Sequence, residues 1–201
     1  MESLNAFTAP RSIPAPAWAL QSASELSSAS EGGSGWNQNS AEVQRFSLRS
    51  RAENSDDQDP ELKPCSILLI EDNLADVGLV REALEEHNVE AELLVISDGA
   101  SAIRFMNDLA VQDVDCPELV ILDLNLPKQS GREVLESIRK NRKCRDTTVV
   151  VLSSSGASED QADALSLGAH YYIQKPLRLA QFLDLGATFK QLLAAPRSKG
   201  A

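Results

Sequence analysis

The sequence lacks any uninterrupted apolar run of the roughly 18 residues that a membrane-spanning helix needs. A signal peptide would need a continuous hydrophobic segment near the amino terminus, and Pro10, Pro14 and Pro16 interrupt that region. We therefore predict a protein without a membrane span that resides in the cytoplasm. The first 50 residues are rich in Ser and Ala and poor in acids, so an organelle transit peptide is an alternative interpretation of them.

An excess of basic residues is also absent. The chain holds 19 Lys and Arg residues against 30 Asp and Glu residues, which gives a formal net charge of −11 at pH 7. Because nucleic acid binding needs a basic face that releases counterions from the phosphates, we predict no nucleic acid partner. A partner protein with a basic surface suits this negative charge better than nucleic acid does.

Cysteine is scarce, with Cys65, Cys116 and Cys144 as the three examples in 201 residues. An odd number of cysteines without C-x-x-C spacing fits neither a disulfide framework nor a zinc site. We therefore expect three reduced thiols, in keeping with a cytoplasmic protein.

The first 60 residues lack a sustained helix or strand pattern. They are rich in Ser, Ala, Gly, Asn and Pro, and such a segment cannot bury enough apolar surface to offset the entropy lost on ordering it. The sequence predicts a disordered tail over 1–60, one domain over 61–195 and a short tail over 196–201. A domain of about 135 residues has a common size for one hydrophobic core.

Beyond position 64, apolar runs recur about every 25 residues and alternate between strand-like and helix-like patterns. The strand-like runs are short and continuously apolar, as expected of buried parallel strands. Five alternations predict an α/β fold, with a doubly wound, five-stranded parallel sheet and helices on both faces. The predicted strands cover 65–70, 91–96, 118–122, 147–152 and 170–174, and the last predicted helix covers 179–193.

Polar side chains follow four of these strands at their carboxyl ends, where ligands bind in such sheets. They are Glu71, Asp72, Asp123, Ser153 and Lys175. Neighbouring carboxylates stay ionised together only beside a cation, and oxygen-only ligands indicate Mg²⁺. An aspartate held there is a competent nucleophile toward phosphorus, and the lysine and hydroxyl can bind the phosphoryl oxygens. The pattern therefore predicts a metal-dependent phosphoacceptor.

Each of these residues has an ordinary structural interpretation when it is considered alone. An acidic residue after a strand commonly caps the next helix, a serine there commonly forms a turn, and most lysines are solvated. The functional interpretation depends on all five residues occurring at the same edge of one fold.

The chain resembles the receiver domains of bacterial response regulators over essentially all of residues 65–193. The motifs that carry the resemblance are Ile-Leu-Leu-Ile-Glu71-Asp72-Asn73, Leu-Val-Ile-Leu-Asp123-Leu-Asn-Leu-Pro127, Gly131, Val-Val-Val-Leu-Ser153, Gly168-Ala169 and Tyr172-Ile-Gln-Lys175-Pro176. This resemblance implies a flavodoxin-like fold with the strand order 2-1-3-4-5.

The resemblance also implies roles for the residues at the strand ends. It makes Asp123 the phosphoacceptor and Lys175 the residue that binds the phosphoryl group. It assigns Mg²⁺ to Asp72, Asp123 and the backbone carbonyl of Asn125, with Glu71 acting on the metal through a water molecule.

Two further positions match the residues that change conformation in this family. Ser153 and Tyr172 correspond to the hydroxyl and aromatic positions that move together on phosphorylation. The resemblance also implies a cis Lys175–Pro176 bond, an isomer that X-Pro bonds adopt at low energy.

The run Asp123-Leu-Asn-Leu-Pro-Lys-x-x-Gly-Arg-Glu-Val-Leu135 is similar to small single-domain regulators that partner phytochrome-type histidine kinases, including those of cyanobacteria. The expected partner is therefore a sensor histidine kinase of that type in a two-component phosphorelay. Few residues follow the last predicted helix, so we expect no output domain. The phosphorylated domain would then signal through the face formed by helix four, strand five and helix five, to a downstream protein or a second copy.

Two rival interpretations use the same residues. A phosphatase of the haloacid dehalogenase type also has a nucleophilic aspartate, Mg²⁺, a hydroxyl and a lysine, but here Asn125 replaces its general acid and Glu71-Asp72 precede the lysine. A phosphorylation-independent binding module with this fold usually lacks the acceptor, one acidic residue or the lysine, and all of these are present. We therefore predict a phosphoacceptor and not an enzyme that turns over a substrate.

Overall fold

The fold is described here from a computed structural model that covers residues 43–48, 65–111 and 115–195. The strands are β1 (Val43–Leu48), β2 (Cys65–Ile70), β3 (Ala91–Ile96), β4 (Leu119–Leu122), β5 (Thr148–Ser153) and β6 (Tyr171–Gln174). The helices are α1 (Leu74–Glu86), α2 (Gly99–Val111), α3 (Gly131–Lys140), α4 (Ser158–Ser166), α5 (Leu179–Leu183) and α6 (Leu185–Ala194). Within the described ranges, no helix is both long enough and apolar enough to cross a bilayer.

One sheet carries all six of these strands, in the spatial order β1-β3-β2-β4-β5-β6. Strands β2 to β6 run parallel to one another, and their order is the predicted 2-1-3-4-5 arrangement. The doubly wound parallel fold expected from the sequence is therefore confirmed.

Strand β1 is an addition to that arrangement. It pairs antiparallel with β3, so that Val43 lies opposite Ile96 and Leu48 lies opposite Ala91. Leu48 is 5% exposed, and its burial shows that the strand contributes to the core. The prediction of disorder over 1–60 is therefore wrong for residues 43–48, because pairing with β3 supplies hydrogen bonds and burial that a six-residue pattern does not reveal. The rest of 1–60, and the predicted tail 196–201, lie outside the described residues.

The core has two layers, one on each face of the sheet. Successive residues of a strand point to opposite faces, so Leu68 and Ile70 pack with α2, α3 and α4, whereas Ile67 and Leu69 pack with α1, α5 and α6. All four side chains are 1% exposed or less, and burying each contributes about 1.5–3 kcal/mol. This two-sided burial explains why the strands are continuously apolar, and it fixes the strand ends from which the polar residues emerge.

The last predicted helix is divided in the structure. Asp184 separates α5 from α6, and α6 then packs against α1. A Cβ atom on Gly186 would lie 2.0 Å from the carbonyl oxygen of Ala83, so glycine permits the close approach of these helices. The prediction of one helix over 179–193 is corrected to two, because this contact with α1 is not visible in the local pattern.

The peptide bond before Pro176 is trans, since no described peptide bond is cis. The prediction of a cis bond is therefore wrong. The trans isomer is favoured by about 0.5–1 kcal/mol in X-Pro bonds, and only surrounding contacts select the cis form.

Two of the three cysteines are joined. Cys116 and Cys144 form a disulfide with their Cα atoms 5.4 Å apart, which corrects the prediction that all three thiols are reduced. The two cysteines are 28 residues apart, and this spacing matches no disulfide motif that would have indicated the pairing from the sequence. They meet because β4 and β5 are neighbours, with Leu119 paired to Thr148 just beyond the two cysteines.

Candidate functional site

The carboxyl ends of β2 and β4 place two acidic residues side by side. The backbone N–H of Glu71 donates to the carbonyl of Ile96 on β3 (3.0 Å), and that of Asp123 donates to the carbonyl of Ile70 on β2 (3.0 Å). These bonds extend the sheet ladder by one residue beyond each strand. The carboxylates therefore emerge from a rigid edge and not from a free loop.

Three carboxylates converge at this edge. One oxygen from each of Glu71, Asp72 and Asp123 lies within 4.8 Å of the others. Glu71 and Asp123 are 2% and 5% exposed, whereas Asp72 faces solvent and leaves the cluster accessible. Hard oxygen donors with one open side are a donor set that suits a small divalent cation. The structure thus brings together the acidic residues that the sequence predicted.

Lys175 lies among these carboxylates. Its Nζ donates to Glu71 Oε2 (2.8 Å), Asp123 Oδ2 (2.8 Å) and Asp76 Oδ2 (2.7 Å). An ammonium group has three N–H donors, so these three bonds use all of them. The predicted lysine is therefore part of the site and is held by residues from β2, β4 and α1.

Sequence reasoning missed Asp76. An acidic residue in the first turn of a helix is ordinarily explained by the helix dipole, and Asp76 lies in the first turn of α1. The signal that could have identified it is its place in the first turn of α1, only four residues after Asp72 at the end of β2.

Burial and the neighbouring charged groups shift the pKa values of Glu71 and Lys175. Burial raises the pKa of Glu71 to about 7, although the hydrogen bond and charge of Lys175 act in the opposite direction. Burial by itself would lower the pKa of Lys175, but its hydrogen bonds to Asp123, Asp76 and Glu71 outweigh that effect and the pKa is raised. One ammonium thus leaves the buried carboxylates with excess negative charge, which a divalent cation would balance.

The other oxygen of Asp123 is held by its own loop. Oδ1 accepts a hydrogen bond from the backbone N–H of Asn125 (3.0 Å). Gly131 closes this loop by donating its N–H to the carbonyl of Leu124 (3.0 Å), and a Cβ atom there would lie 2.2 Å from the carbonyl oxygen of Asp123. Gly131 is therefore required for the loop to fold tightly over the acceptor backbone, and both carboxylate oxygens of Asp123 are oriented.

Ser153 and Tyr172 lie on the neighbouring strands. Ser153 ends β5 fully buried, and its Oγ accepts a hydrogen bond from the N–H of Ser155 (3.3 Å). The Tyr172 hydroxyl on β6 donates to the carbonyl of Ser155 (2.9 Å). The two predicted switch residues therefore contact the same residue of the loop between β5 and α4.

That loop is also linked to α3 and α4. The Ser155 hydroxyl donates to Asp160 in the first turn of α4, and Arg132 at the start of α3 forms hydrogen bonds to Asp160 and Asp163. The hydrogen bonds from Ser155 and Arg132 lower the pKa of Asp160. A continuous polar chain therefore runs from Tyr172 through the loop to α3.

A second ion pair lies next to the site and was not predicted. Asp98 accepts hydrogen bonds from the Lys128 ammonium (2.8 Å) and from the N–H and hydroxyl of Ser101 at the start of α2. Burial raises the pKa of Asp98, but the hydrogen bonds from Lys128 and Ser101 outweigh it and lower the pKa to about 2. Asp98 thereby joins the start of α2 to the loop that follows Asp123.

Residues 67–185 match the response regulator receiver domain family. Among characterised proteins, the chain is similar to the response regulator Rcp1 of Synechocystis sp., with 37% identity over 132 residues. The aligned region covers 65% of this chain and 88% of Rcp1.

Solved structures give the same relationship. The crystal structure of the phosphorylated cyanobacterial phytochrome response regulator RcpA is 32% identical, with a TM-score of 0.59, and the match covers 69% of this chain and 98% of RcpA. The Mn²⁺-bound form of Rcp1 matches with the same identity, TM-score and coverage.

Proposed function

The chain belongs to the response regulator receiver domain family, and from this premise we propose that Asp123 accepts a phosphoryl group from a sensor histidine kinase. The observation that carries the proposal is the pair of contacts on the Asp123 carboxylate, with Lys175 on one oxygen and the Asn125 N–H on the other. Both contacts hold the carboxylate in one orientation at an edge of the sheet that solvent reaches beside Asp72.

In the proposed transfer, one oxygen of Asp123 attacks the phosphorus atom. The bond from phosphorus to the histidine nitrogen of the kinase breaks, and that nitrogen takes up a proton. Lys175 then has a phosphoryl oxygen as a partner in place of the Asp123 oxygen that has formed the new bond. Because Lys175 is already within 2.8 Å of Asp123, this exchange needs little movement.

We propose Mg²⁺ as the cofactor, held by Asp72, Asp123 and the backbone carbonyl of Asn125, with Glu71 acting through water. The clustered oxygen ligands support this assignment, and the similarity to the Mn²⁺-bound form of Rcp1 agrees with it. When bound, the ion supplies positive charge that offsets the carboxylates and the charge on the transferred group.

The signal is proposed to leave through Ser153 and Tyr172. A phosphoryl group on Asp123 offers the Ser153 hydroxyl a new acceptor, and the Ser155 segment that both residues contact would then shift. The face formed by α4, β6 and α5 adjoins this segment, and it carries exposed apolar side chains at Leu165, Tyr171, Leu177 and Leu179. We propose that this face binds a downstream protein or a second copy of the chain.

The kinase is proposed to be of the phytochrome type, a choice supported by the similarity to RcpA and Rcp1. The acidic composition supports protein partners, with neither nucleic acid nor a membrane as the target. We place the protein in the cytoplasm, where such kinases present their phosphohistidine. The phosphoryl transfer is self-catalysed, and the protein is not proposed to act as an enzyme on a separate substrate.

The test is incubation of the full chain with acetyl phosphate and Mg²⁺, followed by intact-mass measurement. We expect a gain of one phosphoryl group that is lost in base, is absent with EDTA and is absent in Asp123→Asn. Asp146→Asn, an exposed aspartate in the loop before β5, is the matched control and is expected to be labelled normally.

Three outcomes would contradict the proposal. An adduct that persists in Asp123→Asn would remove the acceptor assignment, and no adduct in any variant would favour a phosphorylation-independent binding module. Steady hydrolysis of a phosphate ester over many cycles would instead support the phosphatase interpretation.

A further inference from the structure

The disulfide between Cys116 and Cys144 lies at the end of the sheet opposite the acceptor. Cys116 comes just before β4, and Cys144 lies in the turn that joins α3 to β5. Asp123 follows Cys116 by seven residues of mostly extended chain, a distance of about 23 Å at about 3.3 Å per residue. The disulfide and the acceptor therefore occupy opposite ends of the same strand.

We propose that Cys116 and Cys144 form a reversible redox site, which opens and closes by exchange with a small thiol and disulfide pair of the glutathione class. Disulfides in reducing compartments are usually redox-sensing or catalytic, so a reversible role fits the proposed cytoplasmic location. The site is expected to change the stability of the domain and to leave phosphorylation of Asp123 unchanged.

Noncovalent contacts hold the two cysteines near each other with or without the bond. The Thr147 hydroxyl donates to the carbonyl of Pro117 (3.1 Å), next to Cys116 in the chain. The Thr147 N–H donates to the carbonyl of Cys144 (3.0 Å), and the Cys144 N–H donates to that of Asn141 (3.2 Å). Reduction therefore leaves two thiols in proximity, and the bond can form again without a large chain movement.

The two cysteine residues differ in exposure. Cys116 is half-buried, whereas Cys144 is 0% exposed. A thiolate from solution should therefore attack Cys116, because exchange requires access to the sulfur that is attacked. The leaving sulfur then belongs to Cys144, and because burial disfavours its thiolate, this sulfur takes up a proton as it leaves.

The exchange is balanced in two steps. A glutathione thiolate attacks the sulfur of Cys116 and forms a mixed disulfide, while Cys144 leaves as a thiolate and takes up a proton. A second glutathione thiolate attacks the glutathione sulfur of that mixed disulfide and releases Cys116, which is also protonated. Overall, two glutathione molecules are oxidised to one glutathione disulfide, and the protein gains two electrons and two protons. Glutathione disulfide drives the reverse reaction.

The first experiment counts thiols in the full chain. The protein is equilibrated in buffers with different ratios of glutathione to glutathione disulfide, and free thiols are then alkylated and counted by intact mass. We expect two more alkylated thiols under reducing conditions than under oxidising conditions. The ratio of reduced to oxidised protein should be proportional to the square of the glutathione concentration divided by the concentration of glutathione disulfide. Three alkylated thiols at every ratio, or one at every ratio, would overturn the proposal.

The second experiment uses single variants to test the direction of attack. Cys144→Ser leaves the accessible Cys116 and should collect a mixed disulfide with glutathione. Cys116→Ser leaves the buried Cys144 and should form much less mixed disulfide with glutathione under the same conditions. Both chains also carry Cys65→Ser, so that one cysteine remains in each. Equal modification of the two variants, or preferential modification of Cys144, would contradict the assigned direction.

The third experiment separates stability from phosphorylation. Closing the bond should raise the melting temperature of the wild type by on the order of 10 °C. The double variant Cys116→Ser, Cys144→Ser should show no change between the two buffers. The rate of labelling by acetyl phosphate should be the same in both redox states. A severalfold difference would contradict the proposal that the bond changes stability and leaves phosphorylation of Asp123 unchanged.

Discussion

At the scale of single residues, the Lys175 ammonium connects three parts of the fold, because it donates to carboxylates from β2, β4 and α1. Glu71 and Asp123 are also in the group proposed to bind the metal, whereas Asp76 is not. Asp76 is therefore the partner that can retain Lys175 when the other two carboxylates are engaged. This makes Asp76 a positioning residue for the lysine.

We predict that Asp76→Asn slows phosphorylation by acetyl phosphate about fivefold to tenfold. The variant replaces a charge-assisted hydrogen bond on Lys175 with a neutral one, and the difference of about 1 kcal/mol corresponds to about fivefold to tenfold in rate. Initial rates of labelling measure the effect. Asp76→Glu should recover part of the rate, and Glu86→Gln at the exposed end of α1 should match the wild type. An Asp76→Asn rate equal to that of Glu86→Gln would contradict this role.

The predicted members of the site share one property: they lie at or near the carboxyl ends of strands. Parallel strands bring their carboxyl ends to one edge, so Asp72, Asp123 and Lys175 could be grouped from the sequence. Asp76 and Asp98 could not, because an acidic residue at a helix start has a sufficient local explanation. Only the distances in the folded chain separate that explanation from a contact with a lysine.

Asp98 gives a prediction about pH. Its pKa is lowered in the folded protein to about 2, from about 3.9 in an unfolded chain. The ionised form therefore stabilises the fold above about pH 4, and this contribution is lost as the pH falls toward 2. We expect Asp98→Asn to reduce the free energy of unfolding by about 1–2 kcal/mol. This is less than the full pKa shift corresponds to, because the Lys128 side chain is exposed and solvent screens its charge.

Urea unfolding of both chains at pH 7, 5 and 3 measures this effect. The difference between wild type and Asp98→Asn should be the same at pH 7 and pH 5 and smaller at pH 3. A difference that stays constant down to pH 3 would show that packing of the asparagine, and not ionisation of Asp98, causes it.

At the scale of secondary structure elements, β1 was the element that the sequence pattern did not reveal. Sixteen residues separate Leu48 from Cys65, and the flanking chain is polar, so nothing nearby predicts a partner for six residues of alternating character. Its stability comes from β3 and α1: Arg45 pairs with Glu92 (2.9 Å), and the Arg81 guanidinium lies 4.2 Å from the centre of the Phe46 ring. Long-range pairing of this kind is outside the reach of a local pattern.

We predict that β1 contributes about 2 kcal/mol to the stability of the domain, since burial of Leu48 and Phe46 and the hydrogen bonds of the ladder with β3 together exceed the entropy cost of ordering six residues by a small margin. Urea unfolding of two chains, one that begins at residue 42 and one that begins at residue 50, measures the contribution of β1, because the second chain lacks this strand. The shorter chain should also associate at high concentration, because it exposes the edge of β3. Equal midpoints for the two chains would contradict a role for β1 in the folded domain.

At the scale of the whole molecule, the two edges of the sheet are different. β1 closes one edge, whereas β6 and the neighbouring helices α4 and α5 form the face proposed for output. Tyr171 is 47% exposed and Leu177 fully exposed on that face. Apolar side chains left in contact with water on one face are a common feature of protein interaction sites.

We predict that a phosphoryl mimic, beryllofluoride with Mg²⁺, shifts the chain from monomer to dimer through this face. Sedimentation velocity with and without the mimic measures the mass. Leu179→Glu should remain monomeric in the mimic because it places a charge in the interface. Val111→Glu, at a more exposed apolar position on α2 and away from this face, should dimerise like the wild type. A monomeric wild type in the mimic would exclude a second copy as the output partner.

The antiparallel direction of β1 also provides two useful labelling positions. Val43 lies opposite Ile96, whose carbonyl binds the N–H of Glu71, whereas Ser47 lies opposite Glu92 near the start of β3. A fluorescent dye at position 43 would sit at the edge where Mg²⁺ and the phosphoryl group are expected, and a dye at position 47 would sit toward the disulfide. One short strand could thus carry separate optical reporters for the two chemical events.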